Sequence, residues 1–282
     1  MSIIVTGATG HLGRLIVESL LGRGVPADGI VALGRDTTRL ADLAQRGVTV
    51  RRADYNEPES LRSAFAGGEK LLYVSGTELG RRAEQARNVV AAAREAGVGL
   101  VAYTSIVKAD TSRLILAREH RATEEEIAAS GLPYVFLRNS WYIENYLPQI
   151  PTYLEHGIAG AAGDGQVSAA VRADYAEAAA VVATTDGHAG RAYELGGAPF
   201  TMNEFAAELS RQTGRVVTYT DLPEEKYVEV LVGAGVPRDY AALLADGDRG
   251  MAQGELYAEG DDLARLLGRE PVTLADAIRA AL

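Results

Sequence analysis

Thr6-Gly7-Ala8-Thr9-Gly10-His11-Leu12-Gly13 is the stretch on which the reading of this chain turns. Ile3 to Val5 before it has the composition of a buried strand. His11 to Gly22 after it sets Leu12, Leu15, Ile16 and Leu20 on one face of a helix. Glycines at 7, 10 and 13 would be weak evidence alone in a chain with 31 glycines. The order strand, glycine loop, helix, strand gives them a meaning. Such glycines allow a tight turn, close backbone approach to a pyrophosphate, and close packing of helix on strand. The helix N-terminus then presents free N–H groups and a positive dipole end to phosphates. Thr6, Gly7, Thr9, Gly10, His11, Leu12 and Gly13 are therefore candidate dinucleotide contacts. The plain alternative is a tight βα turn with no ligand.

Outward from the loop the same alternation repeats. Strands are expected at Ile30–Leu33, Val48–Val50, Leu71–Val74, Leu100–Thr104 and Tyr134–Leu137. Helices are expected through Leu40–Ala44 and over Glu59–Phe65, Arg81–Ala96 and Arg118–Ser130. Short apolar strands separated by helices make βαβ units, hence a parallel sheet covered on both faces. The fold class is α/β, a Rossmann-type doubly wound parallel sheet over residues 1–139. A smaller C-terminal α/β substrate lobe follows over 140–282, with the chain free to cross back to the sheet. In that lobe helices are expected at Tyr142–Glu155, Asp174–Ala183 and Thr201–Gln212, strands at Arg191–Leu195 and Val216–Tyr219, and three closing helical pieces. Thr201 and Glu204 have the spacing of a capping box.

The bulk numbers close off several functions. A chain of 282 residues can bury a substantial core, and 47% hydrophobic with 23% charged residues is an ordinary globular composition. A formal net charge of -10 disfavours nucleic-acid partners. The absence of cysteine excludes disulfides, thiolate catalysis and cysteine-held metals. The 4 histidines, His11, His120, His156 and His188, have no ligand spacing, so no metal is expected. One dinucleotide loop is visible, which leaves flavin without a site. The first residues enter a strand without a leader and no apolar run could cross a bilayer. The expectation is a cytoplasmic enzyme that does not insert into membranes.

Arg35 stands after the second strand, where dinucleotide folds usually carry an acidic residue for the ribose. A guanidinium there can pair with a 2′-phosphate, which favours NADP(H), with Arg39 one turn on. The other reading leaves Arg35 in solvent and gives the ribose to Asp36. Asp54 and Tyr55 follow the third strand, where a carboxylate can accept from the adenine amino group. Asp54 as a simple turn residue is the alternative. Ser75 and Gly76 after the fourth strand would bring backbone past the cofactor ribose.

With these residues placed, the chain resembles the atypical short-chain dehydrogenase/reductases of the NmrA-like group. Within that group it is most similar to type 2 NAD(P)H:quinone oxidoreductases, with triphenylmethane reductases close by. The resemblance is carried by TGATGHLG (6–13), RRADYNEPESL (51–61), AYTSIVKADTS (102–112), REHRATEEEIAASGLPYVFLRNSWYIENYL (118–147), GAAGDGQVSAAVRADYAEAAA (160–180) and YELGG (193–197). The wider superfamily has a Tyr-x-x-x-Lys pair on the helix after the fifth strand. Those positions match Leu116 and His120 here, so both members are replaced.

What this leaves is hydride transfer with little acid help, as a quinone requires. Positioning and exclusion of water then carry most of the catalysis. His120 is the candidate for touching the nicotinamide ribose or the quinone oxygen, as a hydrogen-bond donor and a proton shuttle near neutral pH. A surface histidine paired with Glu124 is the competing reading. Thr104 and Ser105 end the fifth strand, where the resemblance implies a hydroxyl near the substrate, Thr104 as a candidate cofactor contact and Ser105 as a candidate substrate contact. It also implies that the turn at Asn139, a candidate catalytic residue, borders the nicotinamide. Trp141, Tyr142 and Tyr146 offer flat walls to an aromatic substrate, or serve as packing between lobes. The resemblance implies an NADPH-dependent reductase of quinones or similar electron-poor aromatics. Two alternatives remain: a non-catalytic NADP(H)-binding redox sensor, and a triphenylmethane dye reductase.

Overall fold

A computed structural model describes residues 2–282. The first half runs β1 (Ile3–Val5), α1 (His11–Gly22), β2 (Ile30–Gly34), α2 (Ala41–Gln45), β3 (Thr49–Arg52), α3 (Pro58–Phe65), β4 (Lys70–Tyr73), α4 (Arg82–Glu95), β5 (Leu100–Ile106), α5 (Ile115–Ala129) and β6 (Tyr134–Asn139). The second half runs α6 (Ile150–His156), β7 (Ile158–Gly160), α7 (Arg172–Thr184), β8 (Arg191–Leu195), α8 (Met202–Thr213), β9 (Tyr219–Asp221), α9 (Glu224–Gly233), α10 (Arg238–Ala252), α11 (Asp262–Leu267) and α12 (Leu274–Ala281).

The central sheet has 7 strands in the order β3-β2-β1-β4-β5-β6-β8, all parallel. This is the Rossmann-type doubly wound sheet. Its strand order reverses between β1 and β4, where open α/β sheets place their ligand crevice. One face is covered by α1, α7 and α11, and the other by α3, α4 and α5. Small side chains on α7 (Ala176, Ala179, Ala180, Ala183) let it lie close against α1 under the sheet.

Residues 172–195 and 262–267, grouped with the smaller lobe from sequence, return to the sheet: α7 covers a face, β8 adds the last strand beside β6, and α11 packs on both. The rest of the C-terminal half forms a separate core around Phe200, Met202, Phe205 and Leu209, with a parallel pair β7-β9. The capping box of Thr201 and Glu204 forms as expected.

Three expectations in this half are corrected. The helix expected over Tyr142–Glu155 is two 3₁₀ turns and the short α6, because Pro148 and Pro151 remove N–H donors that a longer helix would need. The strand expected at Val216–Tyr219 lies at Tyr219–Asp221, paired with β7. Four closing helices stand where three were expected, since Gly235 and Pro237 separate α9 from α10.

Candidate active site

The glycine loop lies across the ends of two strands. Thr6 N–H donates to the Leu72 carbonyl (3.0 Å), Ala8 N–H to Leu33 (2.8 Å) and Gly10 N–H to Gly7 (2.9 Å). Gly7 has φ +62, in the left-handed region that favours glycine. A Cβ on Gly13 would overlap the Gly7 carbonyl, so helix and loop can touch only through glycine there. Gly10 is the N-cap of α1, yet no side chain caps the helix and its first turn holds no acid. The N–H groups of that turn and the dipole end are left for an anion.

The loop forms one end of a single large cavity of about 1270 Å³ that continues over the carboxyl ends of β2, β4, β5 and β6 into the C-terminal lobe. Thr6, Gly7, Thr9, Gly10, His11, Leu12, Gly13, Arg35, Asp54, Tyr55, Ser75, Gly76, Ser105, His120, Asn139, Trp141, Tyr142 and Tyr146 all line it. Thr104 does not. It is buried beneath Ser75, whose N–H donates to Thr104 Oγ1 (3.0 Å), so it supports the wall from behind.

Several side chains are committed to the scaffold. Thr6 Oγ1 accepts from Val74 N–H (2.9 Å), and the Tyr55 hydroxyl sits 2.5 Å from it and 2.6 Å from the Val74 carbonyl. Tyr55 thus ties β1 to β4 as part of the cleft floor, and burial holds its hydroxyl pKa above the ordinary value. Asp54 Oδ1 accepts from Asn56 backbone (2.9 Å) and side chain (3.2 Å), leaving Oδ2 for the cleft. Asp36 caps the following 3₁₀ turn through Thr38 on the exposed side and does not line the cavity. Arg35 is instead exposed on the cavity rim, and Arg39 does not line it.

Arg35 pairs with Glu78 (2.8 Å), whose other oxygen accepts from Asn56 and Gln85 (3.2 Å each). Glu78 thus supplies Arg35 with an anion from within the chain. Arg82 is buried, donating to the Gly76 carbonyl (2.9 Å) and pairing with Glu119, which also accepts from Gly80 N–H. It clamps the loop after β4 onto α5. The sequence reading missed Glu78, Arg82 and Gln85. Arg82 and Gln85 fall in register with Val89 on the buried face of α4, and polar residues inside an apolar stripe were the available signal.

His120 is corrected most strongly. It is buried rather than on a surface, and Glu124 is taken by Arg138 (3.0 and 2.7 Å). His120 Nδ1 meets the Tyr103 hydroxyl at 2.8 Å. Burial, assisted by the positive field of Arg82, pushes its pKa down to about 3. Burial thus favours the neutral imidazole over the imidazolium. With Nδ1 engaged, Nε2 is the nitrogen left for the cavity.

Among the described residues, three buried polar atoms lining this cavity have no hydrogen-bond partner: Gln85 Oε1, Ser105 Oγ and Asn139 Oδ1. Buried polar groups are nearly always paired, so orphans gathered in one cleft mark a place for a polar ligand. Beyond them Trp141 packs on α10 at Gly247, Tyr142 carries the Arg172 guanidinium over its ring at 4.6 Å, and Tyr146 meets Phe205 at 5.5 Å. Among the described residues no group of three or more His, Asp or Glu gathers as a metal would require, and no helix is long and apolar enough to cross a membrane.

This geometry has close parallels. The description NmrA-like family matches residues 1–255. The chain belongs to that family. Quinone oxidoreductase 2 of Escherichia coli (strain K12) is 48% identical over 278 residues, covering 98% of this chain and 97% of that protein. A crystal structure of the Escherichia coli NADPH-dependent quinone oxidoreductase complexed with NADPH matches with a TM-score of 0.96 at 48% identity, covering 99% of each chain. Citrobacter sp. triphenylmethane reductase complexed with NADP(H) matches with a TM-score of 0.95 at 39% identity, covering 100% of each. Membership in the family agrees with the resemblance carried by the sequence motifs.

Proposed function

We infer that this protein is an NADPH-dependent oxidoreductase that passes hydride to a quinone or a similar electron-poor aromatic. The observation that carries this reading is one continuous cavity with an uncapped glycine-loop helix end at one side, orphaned polar atoms in the middle and aromatic walls beyond. The close likeness to a quinone oxidoreductase complexed with NADPH supports it.

The residues present fit the dinucleotide. The N-terminal turn of α1, with no Cβ at Gly10 and Gly13, takes the pyrophosphate, and Arg35 takes the 2′-phosphate on leaving Glu78. Ser105 Oγ and Asn139 Oδ1 suit a carboxamide, the hydroxyl as donor or acceptor and the amide oxygen as acceptor. When bound, the dihydronicotinamide supplies the hydride. Trp141, Tyr142 and Tyr146 hold a flat acceptor and keep water away, which is catalysis by positioning. His120 orients through Nε2 as a neutral ring. A reduced quinone is a phenol with a pKa near about 10, so at neutral pH it takes its proton from water without a protein acid. Residues 1–139 thus carry the cofactor and 140–282 supply most of the acceptor wall. A cytoplasmic site of action goes with dependence on NADPH.

The test is steady-state oxidation of NADPH and NADH against a panel of benzoquinones and naphthoquinones. Turnover with NADPH preferred is the expected result. Tight NADPH binding with no turnover of any quinone would overturn the reading in favour of a redox sensor. The same wide cavity admits larger planar acceptors, and the likeness to triphenylmethane reductase makes such dyes a second substrate class for the same assay.

A further inference from the structure

The cavity is larger than the roughly 300–1,000 Å³ usual for a small-molecule site, and it extends well past the strand ends where the dinucleotide fits. Its far end is walled by α6, β7, α9 and α10. Most of this wall is aliphatic or aromatic, including Val230, Leu231, Leu243 and Leu244. One carboxylate interrupts it. Asp248 on α10 accepts a single hydrogen bond, from Ala161 N–H to Oδ2 (2.8 Å), and among the described residues no cation pairs with it and nothing donates to Oδ1. Asp246, two residues earlier, shows the contrast: it is paired with Arg249 and accepts from Ile115 N–H (2.8 Å).

The surroundings of Asp248 do not compensate its charge. Gly160 lies against it, and a Cβ there would come within 2.8 Å of Oδ2 and 2.9 Å of the Tyr219 ring. Tyr219 is engaged with Ala162 N–H (2.8 Å) and Asp221 (3.1 Å), and Asp221 adds a second negative charge nearby. The hydroxyls of Tyr153 on α6 and Tyr227 on α9 have no hydrogen-bond partner among the described residues, and burial, then the field of Asp248, raise their pKa values. Tyr146 feels the same field, while Arg249 faces Asp246 and Glu224. His156 at the cavity rim is largely exposed beside Glu155. Burial, with Asp221 adding and the Ala161 N–H opposing, pushes the Asp248 carboxyl up to about 6.

We propose that the far end of this cavity is a donor-selecting subsite, in which Asp248, with the free hydroxyls of Tyr153 and Tyr227, holds a hydroxyl or protonated amino group that the acceptor carries away from its reacting ring. An unpaired carboxylate in an apolar wall is costly until a donor meets it. The same charge repels carboxylate or sulfonate substituents. The proposal rests on the reductase reading and names the class of acceptor which that site prefers.

Three naphthoquinones of one skeleton test it: unsubstituted, bearing a protonated aminoethyl group, and bearing a sulfonate. Each is assayed at saturating NADPH with the natural protein and with Asp248→Asn, and its binding is read by quenching of the single tryptophan, Trp141, which lines the cavity. The natural protein should prefer the amine over the sulfonate by about thirtyfold in kcat/KM, as charge selection at a partly desolvated site gives. Asp248→Asn should lower the amine by about tenfold and leave the unsubstituted quinone within about twofold. The amine preference of the natural protein should fade below about pH 6, as the carboxyl protonates, and that of the variant should not. Equal losses on all three quinones, or no discrimination by the natural protein, overturn the proposal. If no quinone is turned over but quenching still shows the Asp248-dependent preference, the subsite stands and the reductase reading fails. NADPH affinity of the variant, unchanged, verifies its fold.

Discussion

On the sheet side of the cleft most polar groups are committed before any ligand arrives: Thr6 and Tyr55 to Val74, Asp36 to Thr38, Arg82 to Gly76 and Glu119. On the lobe side the wall is apolar, its helices α9 and α10 leave Val230 and Tyr240 half-exposed, and Asp248, Tyr153 and Tyr227 keep free polar atoms. The first wall is a backbone cradle held by its own hydrogen bonds. The second is a surface whose few polar atoms wait for a partner. A dinucleotide has the same shape in every turnover, so its side can be fixed by hydrogen bonds. An acceptor site gains breadth from apolar area and direction from a few polar groups.

The hardest way to break the sheet wall is Gly13→Ala. Its Cβ would overlap the Gly7 carbonyl. Misplacing the loop by about an ångström should weaken NADPH by roughly a hundredfold. Overpacking should cost about 1–3 kcal/mol of stability. Fluorescence titration with NADPH and a urea melt measure both, and normal affinity would remove the loop from its role. Arg35→Ala comes next. Losing a charged hydrogen bond to the 2′-phosphate should raise the NADPH KM by about tenfold or more and leave NADH within about twofold. Equal changes for both cofactors would mean that Arg35 does not read the phosphate.

His120 sharpens the comparison through stability. Its folded pKa is pushed down to about 3, so between that value and the ordinary 6.5 the unfolded chain binds the extra proton. Stability from this group is therefore present above pH 6.5 and is lost as pH falls toward about 3. The slope is at most about 1.4 kcal/mol per pH unit. His120→Gln should flatten the acid side of the melting profile, and an unchanged slope would contradict the buried neutral ring. The same neutral ring predicts no histidine step in kcat between pH 6 and 8 with an uncharged quinone.

The smallest effect concerns Glu78. A 2′-phosphate must displace it from Arg35, and half-exposed pairs of this kind are worth about 0.2–1 kcal/mol. Glu78→Gln should lower the NADPH KM by about threefold, read in the same kinetics. A raised KM would show that Glu78 aids the cofactor rather than competing with it.

Much of the sheet side could be read along the chain, because its parts are neighbours in sequence: strand, glycines 7, 10 and 13, and helix follow one another within a single βαβ unit. The lobe side was read less well. Two prolines cut the expected Tyr142–Glu155 helix, and Gly235 with Pro237 split the closing helices. Thr104 stands one strand position from Ser105, yet of the two only Ser105 reaches the cavity, since Thr104 Oγ1 is covered by the Ser75 N–H beyond the end of β4.

The sequence by itself determined the α/β alternation, the dinucleotide loop and the arginine at 35. Each follows from local backbone geometry and from residue types a few positions apart. Only the tertiary structure decided that burial favours a neutral His120, that Glu78 occupies Arg35, and that Asp248, Tyr153 and Tyr227 line one cavity. Those outcomes depend on burial and on fields from segments far apart in the chain, and they do not exist until the segments pack.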